Sequence, residues 1–168
     1  RGGVVFGASF NEDWQVVHSF TEQSEGLAAF RGAKYVQSMI GDAYLQVRRF
    51  LRQNRWVLFS GTPCQVAGLK HFLRRDYDRL LTVDVVCHGV PSPFVWQTYL
   101  DSINPQKARI TTLSMRDKRE GWKRYGMNIQ TDNTILYRGK AASNLYSQGY
   151  LDNLYLRPSC YACPAKKG

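Results

Sequence analysis

The stretch Arg55–Gly89, RWVLFSGTPCQVAGLKHFLRRDYDRLLTVDVVCHG, decides how the chain is read. Trp56–Ser60 is a short apolar run closed by Gly61-Thr-Pro-Cys-Gln65. Val66, Leu69, His71, Phe72 and Leu73 then continue with helical spacing, and Leu80–Val86 is a second apolar run. Strand, helix, strand is the βαβ pattern, and a crossover helix returns the chain so that both strands run parallel and end at one sheet edge. Cys64 lies just past the first predicted strand and Cys87 directly after the second. Neighbouring strands are ~4.8 Å apart, so these two thiols are predicted to emerge side by side at the carboxyl edge, where open α/β sheets place their ligands.

Outward from this stretch, Val4–Phe10 and Trp14–Phe20 are β-rich runs separated by Asn11-Glu-Asp13, which predicts a hairpin. Glu22–Phe30 has helical character. Gly32-Ala-Lys-Tyr-Val-Gln-Ser38 suits neither helix nor strand and reads as a binding loop. Ile40–Arg52 sets Ala43, Tyr44, Val47 and Leu51 on one helical face. After the βαβ unit come a predicted helix over Ser92–Ile103 and antiparallel strands over Ala108–Met115, Tyr125–Thr131 and Thr134–Tyr137, with Asp132-Asn133 as a turn. The charged loop Arg116–Trp122 joins the first two strands, and helical structure is predicted around Asn144–Leu154. The fold class is therefore α/β: a mixed sheet with a βαβ unit and an additional antiparallel strand set. The 168 residues are read as a single α/β domain.

Composition narrows the function classes. Hydrophobic content of 43% and charged content of 21% are those of a globular protein, and no apolar run approaches the ~20 residues of a membrane span. The formal charge of +10 raises nucleic acid as a partner, but the basic residues are scattered in ones and twos rather than massed. An anionic cofactor or redox partner accounts for the excess as well. His18 and His71 are read as surface or half-buried histidines without a role.

The other two cysteines, Cys160 and Cys163, form a Cys-x-x-Cys pair whose short loop can turn both sulfurs towards one metal. Together with Cys64 and Cys87 they make a candidate four-thiolate site. Structural zinc usually takes two close pairs, whereas iron–sulfur clusters tolerate dispersed ligands and a proline after a ligating cysteine, here Pro164. A thioredoxin-like dithiol is a third reading, though its motif would follow a βαβ strand. A Cys64–His88 nucleophilic couple is a fourth. Spacing favours the cluster. The rival from another class is a four-cysteine, zinc-stapled module that binds nucleic acid or protein. Gly61–Gln65 also leads into a helix N-terminus, where free backbone amides suit an anion, but it lacks the Gly-Lys-Ser/Thr ending of a Walker loop.

Four segments, Gly32–Ser38, Phe59–Gln65 (FSGTPCQ), Val83–Pro91 (VDVVCHGVP) and Arg157–Cys163 (RPSCYAC), resemble in order the coenzyme F420 hydrogenase/dehydrogenase beta-subunit family. The resemblance spans nearly the whole chain. It implies an iron–sulfur flavoprotein oxidoreductase carrying FAD and a [4Fe-4S] cluster, with coenzyme F420 or another hydride carrier as electron acceptor. It further implies a cytoplasmic protein that works with a redox partner protein or subunit. In this sequence Cys64, Cys87, Cys160 and Cys163 would then ligate the cluster. Lys34, Tyr35, Gln37 and Ser38 would lie in the flavin-proximal loop, with Lys34 stabilising the charge of a reduced flavin. Gly61, Thr62 and Gln65 would stand at the cluster–flavin edge. Arg116, Asp117, Lys118 and Trp122 match a further family stretch to which no role is assigned. Ala33 departs from the pattern, since many relatives have a small hydroxyl residue there. Glycine-rich and ferredoxin-like segments upstream, and an acidic Gly-Asp segment downstream, complete the family pattern, so the chain is expected to be a fragment of a longer flavoprotein.

Overall fold

The computed structural model describes residues 2–166. Its strands are β1 Val4–Phe10, β2 Val16–Thr21, β3 Val57–Gly61, β4 Leu80–Asp84, β5 Ile110–Asp117, β6 Gly126–Thr131 and β7 Ile135–Lys140. Its helices are α1 Ala43–Arg52, α2 Pro63–Leu73, α3 Pro93–Ile103, α4 Leu145–Leu151 and α5 Pro158–Tyr161. The strands form one four-stranded sheet in the order β2-β1-β3-β4 and one three-stranded sheet in the order β5-β6-β7. The expected mixed α/β class, with a βαβ unit and a separate antiparallel set, is the observed one. The chain divides into two compact units, residues 1–31, 38–88 and 162–168 in the first and residues 32–37 and 89–161 in the second.

In the first unit β1 pairs antiparallel with β2 and parallel with β3, and β3 pairs parallel with β4 from Val57↔Leu80 to Gly61↔Asp84. Val4, Phe6, Val57 and Phe59 of the sheet pack against Val47, Phe50 and Leu51 of α1 and Val66, Leu69 and Leu73 of α2. Leu69, Phe6 and Phe59 are fully enclosed. Burying a side chain of this size stabilises the fold by ~1.5–3 kcal/mol. Arg49 and Arg52 in the last turn of α1 complement the negative end of its dipole.

Several boundaries differ from expectation. Strand β5 runs through Arg116 and Asp117, which the sequence reading assigns to the charged loop, β7 spans Ile135–Lys140 rather than Thr134–Tyr137, and α4 ends at Leu151 rather than Leu154. Helix α1 begins at Ala43 because Gly41 has a φ of +51°, a turn conformation that ends the preceding segment. Trp14 lies in the hairpin turn with a φ of +57°, not in the second strand. Strand β4 ends at Asp84 rather than Val86. Its neighbour β3 turns into α2 at Thr62-Pro63, so after Val85 donates to the Gly61 carbonyl at 3.0 Å the ladder has no further partner on that side. Cys87 therefore lies beyond the strand's end in an irregular segment rather than directly after it. Glu22–Phe30 forms a 3₁₀ helix over Glu25–Phe30.

The second unit is an antiparallel meander carrying an aromatic core. Met115, Met127 and Ile129 of the sheet, Trp96 and Leu100 of α3, and Tyr146 and Tyr150 of α4 are buried. The Trp96 and Tyr99 rings lie 5.0 and 5.4 Å from that of Tyr146. Buried Asn144 caps α4 by accepting from Ser147 N–H at 3.0 Å and donates to the Tyr99 hydroxyl at 2.6 Å. No helix among the described residues is long and apolar enough to cross a membrane.

Candidate functional site

The carboxyl edge of β3 gathers five of the singled-out residues inside the first unit: Ser38, Gly61, Thr62, Cys64 and Gln65. Thr62 is extended (φ −73°, ψ 158°) and caps α2, and Pro63 takes the first helical position, where its missing N–H removes nothing from the helix. Cys64 is thereby exposed in the first turn of an eleven-residue helix. Pro63 has no N–H and the Gln65 and Val66 N–H groups both donate to the Thr62 carbonyl, at 2.9 and 3.0 Å, so the array of free amides expected at this turn is largely used up within the helix start. A Cβ on Gly61 would stand 3.1 Å from both Gln65 Oε1 and Phe59 Cε1, so the absence of a side chain lets the Gln65 amide lie against the strand end.

A hydrogen-bonded chain runs through this edge, and backbone groups at its two ends fix its polarity. His18 Nε2 is 3.0 Å from the Ser60 carbonyl, an acceptor only, so the ring carries its proton on Nε2. Burial pushes the His18 pKa down, against the Ser60 bond that pulls it up, and the ring is neutral. Nδ1 then accepts from the Ser38 hydroxyl at 2.7 Å. At the other end Thr62 N–H, a donor only, meets Gln65 Oε1 at 2.9 Å, which turns the Gln65 amide nitrogen towards Ser38 Oγ at 2.8 Å. The Thr62 hydroxyl reaches the same Oε1 and Cys64 Sγ, each at 3.1 Å. Tyr44 adds support by donating to the Gln65 carbonyl at 2.7 Å, and its own pKa is raised, first by burial and then by Cys64.

His18 is the residue that sequence reading missed. It was expected to be a histidine without a role, yet it is buried, stacked on Phe59 at 5.1 Å, and bonded through both ring nitrogens. Period-two alternation along β2 carried the signal, because it places His18 on the same face as Val16, which is buried. His71 is exposed, as expected.

In the second unit lie Lys34, Tyr35, Gln37 and Cys160. The Lys34 loop is held by that unit's core. Tyr146 donates its hydroxyl to the Tyr35 carbonyl at 2.7 Å, Tyr35 N–H meets Met115 Sδ at 3.1 Å, the Tyr35 ring stacks on Tyr150 at 5.1 Å, and Gln37 N–H donates to the Pro91 carbonyl at 3.0 Å. Burial lowers the Lys34 pKa and raises that of Tyr146. Arg116, from the stretch without a role, reaches the Tyr35 hydroxyl at 3.4 Å.

Cys64, Cys87 and Cys163 fall in the first unit and Cys160 in the second, and no disulfide joins any of them. Cys160 sits in α5, where its N–H donates to the Arg157 carbonyl at 2.8 Å, and Cys163 follows that turn. The parallel pairing of β3 with β4 sends the Cys64 and Cys87 segments off the same sheet edge. Among the described residues no three His, Cys, Asp or Glu side chains stand close enough together to hold a metal ion.

Comparison with known proteins places these features in a family. No curated protein sequence matches the chain. Among solved structures, a chain of the F420-reducing [NiFe] hydrogenase complex from Methanosarcina barkeri, studied by xenon derivatization, is similar over 95% of this chain and 53% of its own, with a TM-score of 0.55 and 17% identity. This chain thus spans about half of that one, and the likeness is one of fold. Residues 54–168 match the family model for the C terminus of the coenzyme F420 hydrogenase/dehydrogenase beta subunit. That match covers more than half of the chain, including the Cys64 turn, the Cys87 segment and the Cys160/Cys163 pair, and the chain belongs to the coenzyme F420 hydrogenase/dehydrogenase beta-subunit family.

Proposed function

We propose that the chain is the redox domain of an iron–sulfur flavoprotein oxidoreductase, with Cys64, Cys87, Cys160 and Cys163 as ligands of a [4Fe-4S] cluster and the Lys34–Ser38 loop beside FAD. The observation that carries this reading is the Cys64 turn: an exposed thiol in the first turn of α2, at the carboxyl edge of a parallel strand pair, in a chain of an oxidoreductase family. The donor set fits the group, since four cysteines outside any disulfide are the soft ligands such clusters take. When bound, the cluster supplies one-electron transfer and the flavin converts single electrons to hydride chemistry.

The chain's own residues prepare the site. In the thiol form Cys64 Sγ donates to Thr62 Oγ1, whose proton lies on Gln65. As a metal ligand Sγ accepts instead, and the Thr62 hydroxyl is the donor within reach, while Thr62 N–H keeps Gln65 oriented. Lys34 is a half-buried amine whose pKa burial lowers, and as an ammonium it would balance the negative charge of a reduced flavin held beside the loop. A redox partner protein and a deazaflavin or other hydride carrier complete the proposed route. Iron and flavin analysis of protein purified without oxygen tests the reading. About four irons with acid-labile sulfide and bound flavin are expected, and stoichiometric zinc without iron or flavin overturns it.

A further inference from the structure

The stretch Arg116–Trp122 lies outside the roles assigned so far, yet its first residue converges on the Lys34 loop within the second unit. The Arg116 guanidinium carbon lies 4.5 Å from the ring centre of Tyr125 and 4.9 Å from that of Trp122, and Nη1 reaches the Tyr35 hydroxyl at 3.4 Å. Lys118 Nζ lies over the same Trp122 ring at 3.9 Å. Two cations thus share one indole. The nearest carboxylate in sequence, Asp117, is occupied: it accepts from Arg119 Nε at 2.6 Å and from Arg119 N–H at 3.1 Å, and these bonds hold its pKa down. The ion pairs found among the described residues, Arg55–Glu22 and Arg119–Asp117, involve neither Arg116 nor Lys118.

A second observation is that Arg116 Nε is buried without an acceptor. Buried donors in native proteins are paired with protein, water or ligand, so this N–H calls for an acceptor. Trp122, whose ring the two cations share, is 67% exposed beside it. Two un-neutralised cations, a planar guanidinium lacking one acceptor and an exposed indole together match the chemistry of a phosphate attached to a planar ring.

We infer that Arg116, with Lys118 and Trp122, forms a phosphate-binding wall beside the Lys34–Tyr35 loop that takes the phosphate of a nucleotide-like ligand. The inference builds on the reading of that loop as a cofactor loop. The phosphate has two sources, the pyrophosphate of the flavin cofactor or the phosphate of a diffusing hydride carrier, and one chemistry serves both.

ADP is the probe. Titrating it into the protein while following the Arg116 side-chain Nε–H resonance should give a saturable shift, and Arg116→Gln and Lys118→Gln should each weaken binding by at least about tenfold. Lys118 is exposed, so its substitution tests the wall even where Arg116→Gln fails to fold. This titration needs neither iron nor flavin, so its failure is distinct from failure of the cluster reading. In cofactor-loaded protein, loss of FAD from Lys118→Gln assigns the wall to the flavin, and retained FAD with a raised KM for the hydride carrier assigns it to the carrier. Wild-type ADP affinity in both variants, or no ADP-dependent shift of the Nε–H, overturns the inference.

Discussion

His18 Nδ1 lies 2.7 Å from Ser38 Oγ, although 20 residues separate them, and this contact consumes the single hydroxyl proton of Ser38. Ser38 therefore turns only lone pairs towards Gln65, and the strand hairpin, the Ser38 segment and the Cys64 turn are tied together inside one unit. Replacing His18 by Phe keeps the packing on Phe59 but takes the imidazole donor from the Ser60 carbonyl and the acceptor from the Ser38 hydroxyl proton. Each such loss costs ~1–3 kcal/mol, so His18→Phe should destabilise the fold by roughly 2–5 kcal/mol in urea unfolding. His18→Asn, which can still accept from Ser38, should recover part of that loss. Equal stability of wild type and the Phe variant would remove the network from the account.

The same ring predicts a pH dependence. Its folded pKa lies below the usual 6.5, so the native ring stays neutral where the unfolded chain already takes a proton. With more protons bound in the unfolded state, stability falls as pH drops below ~6.5, by at most about 1.4 kcal/mol per pH unit for one group, and levels off once the folded ring also protonates. Urea midpoints between neutral and mildly acid pH should show this slope in wild type and a shallower one in His18→Asn.

Gly61→Ala tests the close approach at the strand end. A Cβ 3.1 Å from Gln65 Oε1 must displace the amide that holds Thr62, and an overpacked contact of this kind costs ~1–3 kcal/mol. Faster amide exchange at Thr62 is the expected local sign, and exchange as slow as in wild type would show that Gln65 accommodates the methyl group.

Thr62→Val removes the hydroxyl next to Cys64 with little change of shape. Hydrogen bonds to cluster sulfurs help set the potential, and losing a donor makes reduction harder. A more negative midpoint potential is expected by redox titration followed by EPR, and an unchanged potential would show that Thr62 does not serve the bound sulfur.

Lys34→Ala removes the half-buried ammonium of the loop that Tyr146 and Met115 hold in place. Lower flavin content, or a lower flavin potential where flavin is retained, is expected from absorbance of the purified protein. Wild-type content and potential would take Lys34 out of the site.

Much of this organisation was legible in the residues, and the exceptions have physical causes. Apolar runs with turn signals marked β1, β3 and α2, because burial and the Thr62-Pro63 start act locally. The end of β4 was not legible, since it depends on where the neighbouring strand leaves the sheet. Nor was the meeting of Arg116 with Tyr35, 81 residues apart, which arises from the packing of the second unit. His18 lay in between: its alternation with Val16 pointed inward, but its partners Ser38 and Ser60 belong to other segments.

One cluster on four cysteines is tested by anaerobic reconstitution of wild type and of the four single Cys→Ala variants with iron and sulfide, read by EPR after reduction. About four irons per chain and a [4Fe-4S] signal are expected in wild type, with cluster content sharply reduced in each of Cys64→Ala, Cys87→Ala, Cys160→Ala and Cys163→Ala. Wild-type protein that assembles no cluster and instead holds one zinc per chain, or any Cys→Ala variant that assembles wild-type amounts of cluster, would contradict it.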